Sequence, residues 1–443
     1  MVQWYEGGVP LQTVHSVPYG DHHVVVEFCA DALRGVLRGD PLPSDLDETT
    51  VLRDALTHPI ASGELRERVD EGDHVCILIG DMTRAWVRHH VFLPLLLDEL
   101  NRAGIRDEDV VIVSATGDHR GQTEEEHVHL VGEDVYGRVR VIDHRSRDDE
   151  NLVYMGHTTA GTPVWINRTV AGADRVIATG GIVYHFLAGF GGGGKAILPG
   201  AAGYDSIMAN HSLALGEEPG SGLNPAVAAG KMQGNPCYED IIAAASMVCP
   251  TFLLNVIVDD DRHRISMAVA GEMKAAHRVG CRIVQEHFQV PIEEKADLVI
   301  ASAGGYPKDI DFYQTYKTIY NARRAVVDGG TLIVLSECRE GMGNDDFASM
   351  FFDHTDDDQR ENALRESFTI GGFMAFHDRL MAAECDILLL SSLPDEQVTA
   401  AGMRPVSSID DAMNFVAQKH GGFPSTYVIP HGTVFPVQAG RSD

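Results

Sequence analysis

Two spacings of apolar residues alternate along this chain. "DHVCILIGD" (73–81), "DVVIVSATG" (109–117) and "ADRVIATGG" (173–181) are continuous apolar runs of strand length, bounded by polar residues or glycine. Such runs suit strands buried on both faces. "VFLPLLLDELNRAG" (91–104) repeats its apolar residues at helical spacing and stops at Gly104, and the polar "DHRGQTEEEHVHLVG" after the second run can begin a helix. Strand, helix and strand repeating in this way predict a mostly parallel sheet flanked by helices. After the helix-like "AAHRVGCRIVQEHFQV" the alternation resumes. "ADLVIASAGG" (296–305), "GTLIVLSEC" (330–338) and "CDILLLSS" (385–392) read as strands, and "DFYQTYKTIYNARRAV" (311–326) and "SIDDAMNFVAQKHG" (408–421) as helices. The fold class is therefore α/β with two domains, each built on a mostly parallel sheet. The boundary is expected at 285–295, near "FQVPIEEK", giving domains 1–290 and 291–419. The closing segment 420–443 is too short for a domain, and packing back on the first domain is one option.

Ligands of such sheets bind at the carboxyl ends of strands. Asp81, His119 and His185 all stand at or just beyond predicted strand ends. Histidine near neutral pH can be a general acid, a general base or a metal ligand. With 21 histidines in the chain, any one of them is more often a surface or capping residue, and "DHH" (21–23) and "RHH" (88–90) are read that way. "GDMTR" (80–84) sets Arg84 three residues after Asp81. There it suits a two-pronged grip on a carboxylate or a structural ion pair. Gln314 and Lys317 in "YQTYK" share one helical face, as they would on any exposed polar surface.

"GFGGGGK" (189–195) has the glycine–lysine spacing of a phosphate-binding P-loop. Ala196 stands where that loop needs Ser or Thr for Mg²⁺. Pro199 and Gly200 follow too closely for the helix that should carry the phosphates. Gly191, Gly192, Gly193 and Gly194 exceed the needs of one turn, and their amides are expected to form an anion nest. Lys195 would then be a counter-ion or a nucleophilic amine.

Composition narrows the picture. With 443 residues the chain exceeds the usual size of one core. Asp and Glu total 65 against 35 Lys and Arg, a net charge of −30. That excess argues against nonspecific nucleic-acid binding, which needs a basic face, and suits a soluble protein or a salt-rich habitat. No run is long enough to span a bilayer and no signal segment opens the chain, so no membrane partner and a cytoplasmic location are expected. The seven cysteines are dispersed without a C-x-x-C pair, as in reduced, buried thiols.

Taken together, "DMTR", "ATGDHR", the stretch "GHTTAGTPVWINRTVAGADRVIATGGIVYHFLAGFGGGGKAILPG", "NHSL" and "GGYPKDIDFYQTYK" resemble, in order and over most of the chain, the signatures of the nickel-dependent lactate racemase (LarA) family. Lys195 stands ten residues after His185 and His211 sixteen after Lys195, spacings similar to the family's. The resemblance implies that Lys195 carries a nickel-pincer nucleotide (pyridinium-3-thioamide-5-thiocarboxylic acid mononucleotide with Ni) through a thioamide bond, with the glycine loop holding it. It implies His211 as the remaining nickel ligand. Hydride would leave C2 of a small 2-hydroxy acid for the cofactor ring and return on the other face, with His119 and His185 as the acid/base pair. Arg84 would hold the substrate carboxylate with Asp81 orienting it. Gln314 and Lys317 would close over the substrate from the second domain, so that the active site lies between domains. Proteins that build the cofactor are the implied partners.

The sequence departs from the family in two places. Trp4, Trp86 and Trp165 all precede the second domain, where some relatives carry a tryptophan, and Ala85 stands where a proline often follows the arginine. Both changes fall where substrate shape would be read, so a larger 2-hydroxy acid is as compatible as lactate. The alternative reading is a phosphate- or nucleotide-binding protein without redox chemistry. A metal-dependent hydrolase finds no H-E-x-x-H or comparable spacing.

Overall fold

The computed structural model describes residues 12–43, 45–259 and 262–439. Contacts divide the chain into two units, one of Pro41–Glu286 and the other of the chain up to Asp40 together with His287–Asp443.

The unit Pro41–Glu286 is built on a six-stranded sheet. Its order is Arg264–Gly271, Phe252–Asp259, Arg175–Gly181, Val75–Ile79, Val110–Ser114 and Arg140–Asp143. Every pair is parallel except the first. Alternation along each strand feeds two cores. Val75, Ile77 and Ile79 join Phe92, Leu96 and Leu100 of the helix His89–Arg102 on one face. Cys76 and Leu78 join Ile197, Ile241 and Ala244 on the other. The expected apolar runs are these strands, trimmed at their polar ends.

The other unit has a six-stranded, all-parallel sheet in the order Arg404–Val406, Asp386–Leu390, Val326–Leu335, Ala296–Ser302, Thr426–Ile429 and Leu33–Val36. Two expectations about domains are corrected here. Residues 12–40 lie with the C-terminal half and not with the first domain. Leu33–Val36 extends the sheet beside Thr426–Ile429, and Val17 and Val26 of the hairpin Gln12–Tyr19/His22–Cys29 enter the same core as Leu298 and Ile300. The closing segment likewise belongs to this unit. Thr426–Ile429 is an interior strand, and Phe435–Gln438 pairs with Gln289–Ile292. Among the described residues, no helix is long and apolar enough to cross a membrane.

Candidate active site

In the unit Pro41–Glu286 the chain enters its sheet at Val75–Ile79 and later adds strands on both sides of it. A crevice opens at such a switch point, at the carboxyl ends of the strands. Asp81 follows Val75–Ile79, His119 follows Val110–Ser114, and His185 with the glycine loop follows Arg175–Gly181. The sequence candidates of this unit thus leave adjacent strands at the same edge.

Asp81 caps the 3₁₀ turn Met82–Val87. Its Oδ1 accepts from the Thr83 amide (3.0 Å) and the Thr83 hydroxyl (2.6 Å). Its Oδ2 lies 2.5 Å from Nδ1 of His119. Burial alone would push this carboxyl up, but the hydrogen bond and charge of His119, with the Thr83 hydroxyl, bring it below the usual range. An ionised carboxylate only accepts, so His119 carries a proton on Nδ1 and its Nε2 is the nitrogen that can take another. The Arg84 guanidinium donates to the Thr83 hydroxyl at 2.8 Å and is exposed. In place of the structural ion pair that the spacing allowed as one alternative, Asp81 and Arg84 are linked through Thr83. The carboxylate is already engaged by His119, and the short turn carries Arg84 past it.

His185 is held differently. It lies in the two-residue ladder Tyr184–His185 with Gly189–Phe190, and its ring stacks on Phe186 (4.9 Å between centroids). Nδ1 accepts from the amides of Leu187 and Ala188, each at 3.2 Å. Amides only donate, so the neutral ring carries its proton on Nε2.

The glycine loop makes one 3₁₀ turn, Gly193–Ala196, and the next helix begins only at Tyr204. Gly192 and Gly193 have φ of +75° and +56°, which glycine adopts without penalty. The Gly191 amide donates to the Val183 carbonyl and the Gly193 amide to the Asn255 side chain, both at 2.8 Å. These two amides of the expected anion nest are thus turned inward. Lys195 is half-buried, and burial, with the nearby Arg84 charge, pushes its amine down to about 7. His211 closes the helix Tyr204–Ser212 and is buried. Burial and the Lys195 charge, against the Ile207 carbonyl, press its pKa down to about 3.

These properties fit the implied cofactor. A lysine forms an acyl-type bond only as the neutral amine, and imidazole binds a metal only when neutral. Among the described residues no group of three or more His, Cys, Asp or Glu converges on one point.

Gln314 and Lys317 sit at the start of the helix Phe312–Arg323, beyond the carboxyl end of Ala296–Ser302 in the other unit. Lys317 Nζ donates to Gln314 Oε1 at 2.8 Å. Sequence reasoning passed over Thr83, Asn255, His277 and His89. His89, set aside with the other paired histidines, is buried and its Nε2 accepts from the Gly80 amide at 3.1 Å, just before Asp81.

Residues 19–223 match the family described as the lactate racemase N-terminal domain, and residues 292–437 its C-terminal domain. The chain belongs to the lactate racemase family. It is 34% identical over 425 residues to a lactate racemase of Lactiplantibacillus plantarum, covering 94% of this chain and 98% of that protein. It is also 34% identical over 427 residues to one from Thermoanaerobacterium thermosaccharolyticum, covering 94% and 97%. The lactate racemase apoprotein structure from the latter organism superimposes with a TM-score of 0.87 at 32% identity, over 96% of this chain and all of that one. The two-domain α/β architecture is that of the family, whose named members are isomerases.

Proposed function

We propose that this protein racemises a small 2-hydroxy acid, with lactate the first substrate to try, using a nickel-pincer nucleotide attached at Lys195. The observation that carries the reading is that, in a chain of the lactate racemase family, His119 on its Asp81 carboxylate, His185 and the glycine loop with Lys195 all follow strands at one sheet edge. When bound, the cofactor supplies the acceptor for the hydrogen of C2. The chain's own residues do the rest. Arg84 holds the substrate carboxylate, and Thr83 ties that guanidinium to Asp81. His119 takes the hydroxyl proton at Nε2, with Asp81 steadying the imidazolium that results. His185 serves the opposite face, and to bind a second proton it must release the amides of Leu187 and Ala188 from Nδ1. His211 is the protein ligand for nickel. Gln314 and Lys317 are assigned to substrate binding, and proteins that assemble the cofactor are the partners. A phosphate cradle without redox chemistry is less well supported, because the Gly191 and Gly193 amides already serve Val183 and Asn255.

The test is Lys195→Ala, made beside wild type in cells that synthesise the cofactor. Intact mass should show a covalent adduct on wild type and none on the variant, whose fold should survive because the residue lies in a loop. Single enantiomers of lactate and of larger 2-hydroxy acids, followed by chiral chromatography, report the substrate. An adduct that persists in Lys195→Ala would sink the assignment.

A further inference from the structure

A buried polar side chain costs free energy unless it is hydrogen-bonded. Two such side chains in the unit Pro41–Glu286 take no part in the chemistry above. Asn255 interrupts the fully buried strand Phe252–Asp259, and His277 lies on the buried side of the helix Met273–Phe288. Both reach the glycine loop. Asn255 Oδ1 accepts from the Gly193 amide at 2.8 Å while its Nδ2 donates to the Leu254 carbonyl at 3.0 Å. His277 Nε2 lies 2.8 Å from the Gly191 carbonyl, which can only accept. Burial pushes the His277 ring down against the pull of that carbonyl, so the ring is neutral and donates its one proton to the loop.

The two contacts bracket Gly192, whose carbonyl in turn accepts from the Lys195 amide at 3.2 Å. The same side chains explain why the loop is glycine here. A Cβ on Gly192 would stand 2.5 Å from Asn255 Oδ1, and one on Gly193 would stand 2.6 Å from His277 Cγ. We propose that Asn255 and His277 are positioning residues for Lys195, clamping the Gly191–Gly193 backbone so that the amine is held half-buried where the cofactor is attached. The proposal rests on Lys195 as the attachment point.

Asn255→Leu and His277→Leu remove the contacts at similar volume, whereas Asn255→Asp keeps the acceptor and His277→Gln keeps a donor. Two readouts apply. One is the adduct on protein made with the cofactor pathway, by intact mass. The other is the pH profile of Lys195 acetylation by a small acylating reagent on protein made without it, by peptide mass. The leucine variants should lose the adduct about tenfold, as loss of a buried hydrogen bond predicts, and their half-labelling pH should rise from near 7 toward that of an ordinary lysine. Asn255→Asp and His277→Gln should recover most of both. Leu97→Ala, a cavity in the opposite core of the same unit, should move neither. If the leucine variants fail to fold, Asn255→Ser and His277→Asn, too short to span the contacts, replace them. Wild-type adduct and labelling in the clamp variants, or equal changes in Leu97→Ala, would overturn the proposal. A wild type without adduct at Lys195 would refute the attachment instead, and the labelling profile would still judge the clamp.

Discussion

His119 and His185 leave neighbouring regions of one sheet edge and are held in opposite ways. The loop after Val110–Ser114 gives His119 a carboxylate at Nδ1, and the ladder after Arg175–Gly181 gives His185 two backbone amides at Nδ1. A carboxylate accepts the proton on Nδ1 and leaves the ring lone pair on Nε2. Amide donors take the Nδ1 lone pair and leave the ring proton on Nε2. The first ring thus presents an acceptor at Nε2 and the second a donor. Two residues proposed for matching roles need not be identically prepared. A racemase tolerates this provided that the ring with the weaker restraint can let go, and two amide bonds at 3.2 Å are long for N–H donors.

The largest expected effect tests whether the two nevertheless act as a pair. His119→Gln and His185→Gln should each lower racemisation in both directions by ~10²–10⁴-fold, the usual contribution of a general acid/base. In a single turnover followed by rapid quench with isotopically labelled substrate, the two variants should process opposite enantiomers. Glutamine donates but takes up no proton. Near-wild-type racemisation in His185→Gln would therefore reduce His185 to a hydrogen-bond donor, and equal processing of the same enantiomer by both variants would end the two-base scheme.

Asp81→Asn attacks the difference itself. An asparagine that donates its amide hydrogen to Nδ1 moves the ring proton to Nε2, giving His119 the tautomer that His185 has now. The expected loss in kcat/KM is on the order of 10²-fold from either enantiomer, since a misprotonated imidazole cannot serve as base, but in a single turnover it should fall on the enantiomer that begins with His119. Comparing single-turnover rates from each pure enantiomer reads this directly. Equal single-turnover losses from both enantiomers would mean that Asp81 acts on the substrate grip or the fold and not on the tautomer.

Much of this arrangement was legible in the sequence because it is local. Apolar runs such as "DHVCILIGD" mark the strands, and a polar or glycine-rich loop at the end of each marks a place for chemistry. His119, His185, Lys195 and His211 stand in such loops and turns, in a family order. What escaped reading depends on contacts between distant positions. Thr426–Ile429 and Leu33–Val36 pair in parallel across nearly the whole chain, and parallel pairing needs no turn to announce it. Asn255 and His277 sit inside apolar patterns, where a single polar residue looks like noise until the loop it supports comes into view. The run of four consecutive glycines before a lysine suggests an anion nest in the sequence. Its backbone amides at 191 and 193 point instead into the protein, toward Val183 and Asn255.

The smallest expected effect concerns Thr83, which joins the His119 region to the substrate grip. Its hydroxyl donates to Asp81 and accepts from Arg84, while its amide also reaches Asp81. Thr83→Val removes only the hydroxyl and leaves the backbone cap of the turn intact. Asp81 then keeps His119 but loses one of the groups that hold its carboxyl ionised, and Arg84 loses a fixed partner. One hydrogen bond to charged groups at an exposed position should contribute about 1 kcal/mol, a loss of roughly fivefold in kcat/KM. The two functions of the hydroxyl separate kinetically. A rise in KM alone assigns it to Arg84 and the carboxylate grip, whereas a fall in kcat biased toward one enantiomer assigns it to the His119 side. Thr83→Ser should restore both. A Thr83→Val enzyme identical to wild type with each enantiomer would show that Arg84 and Asp81 work independently, and that the relay is only a crossing of the chain.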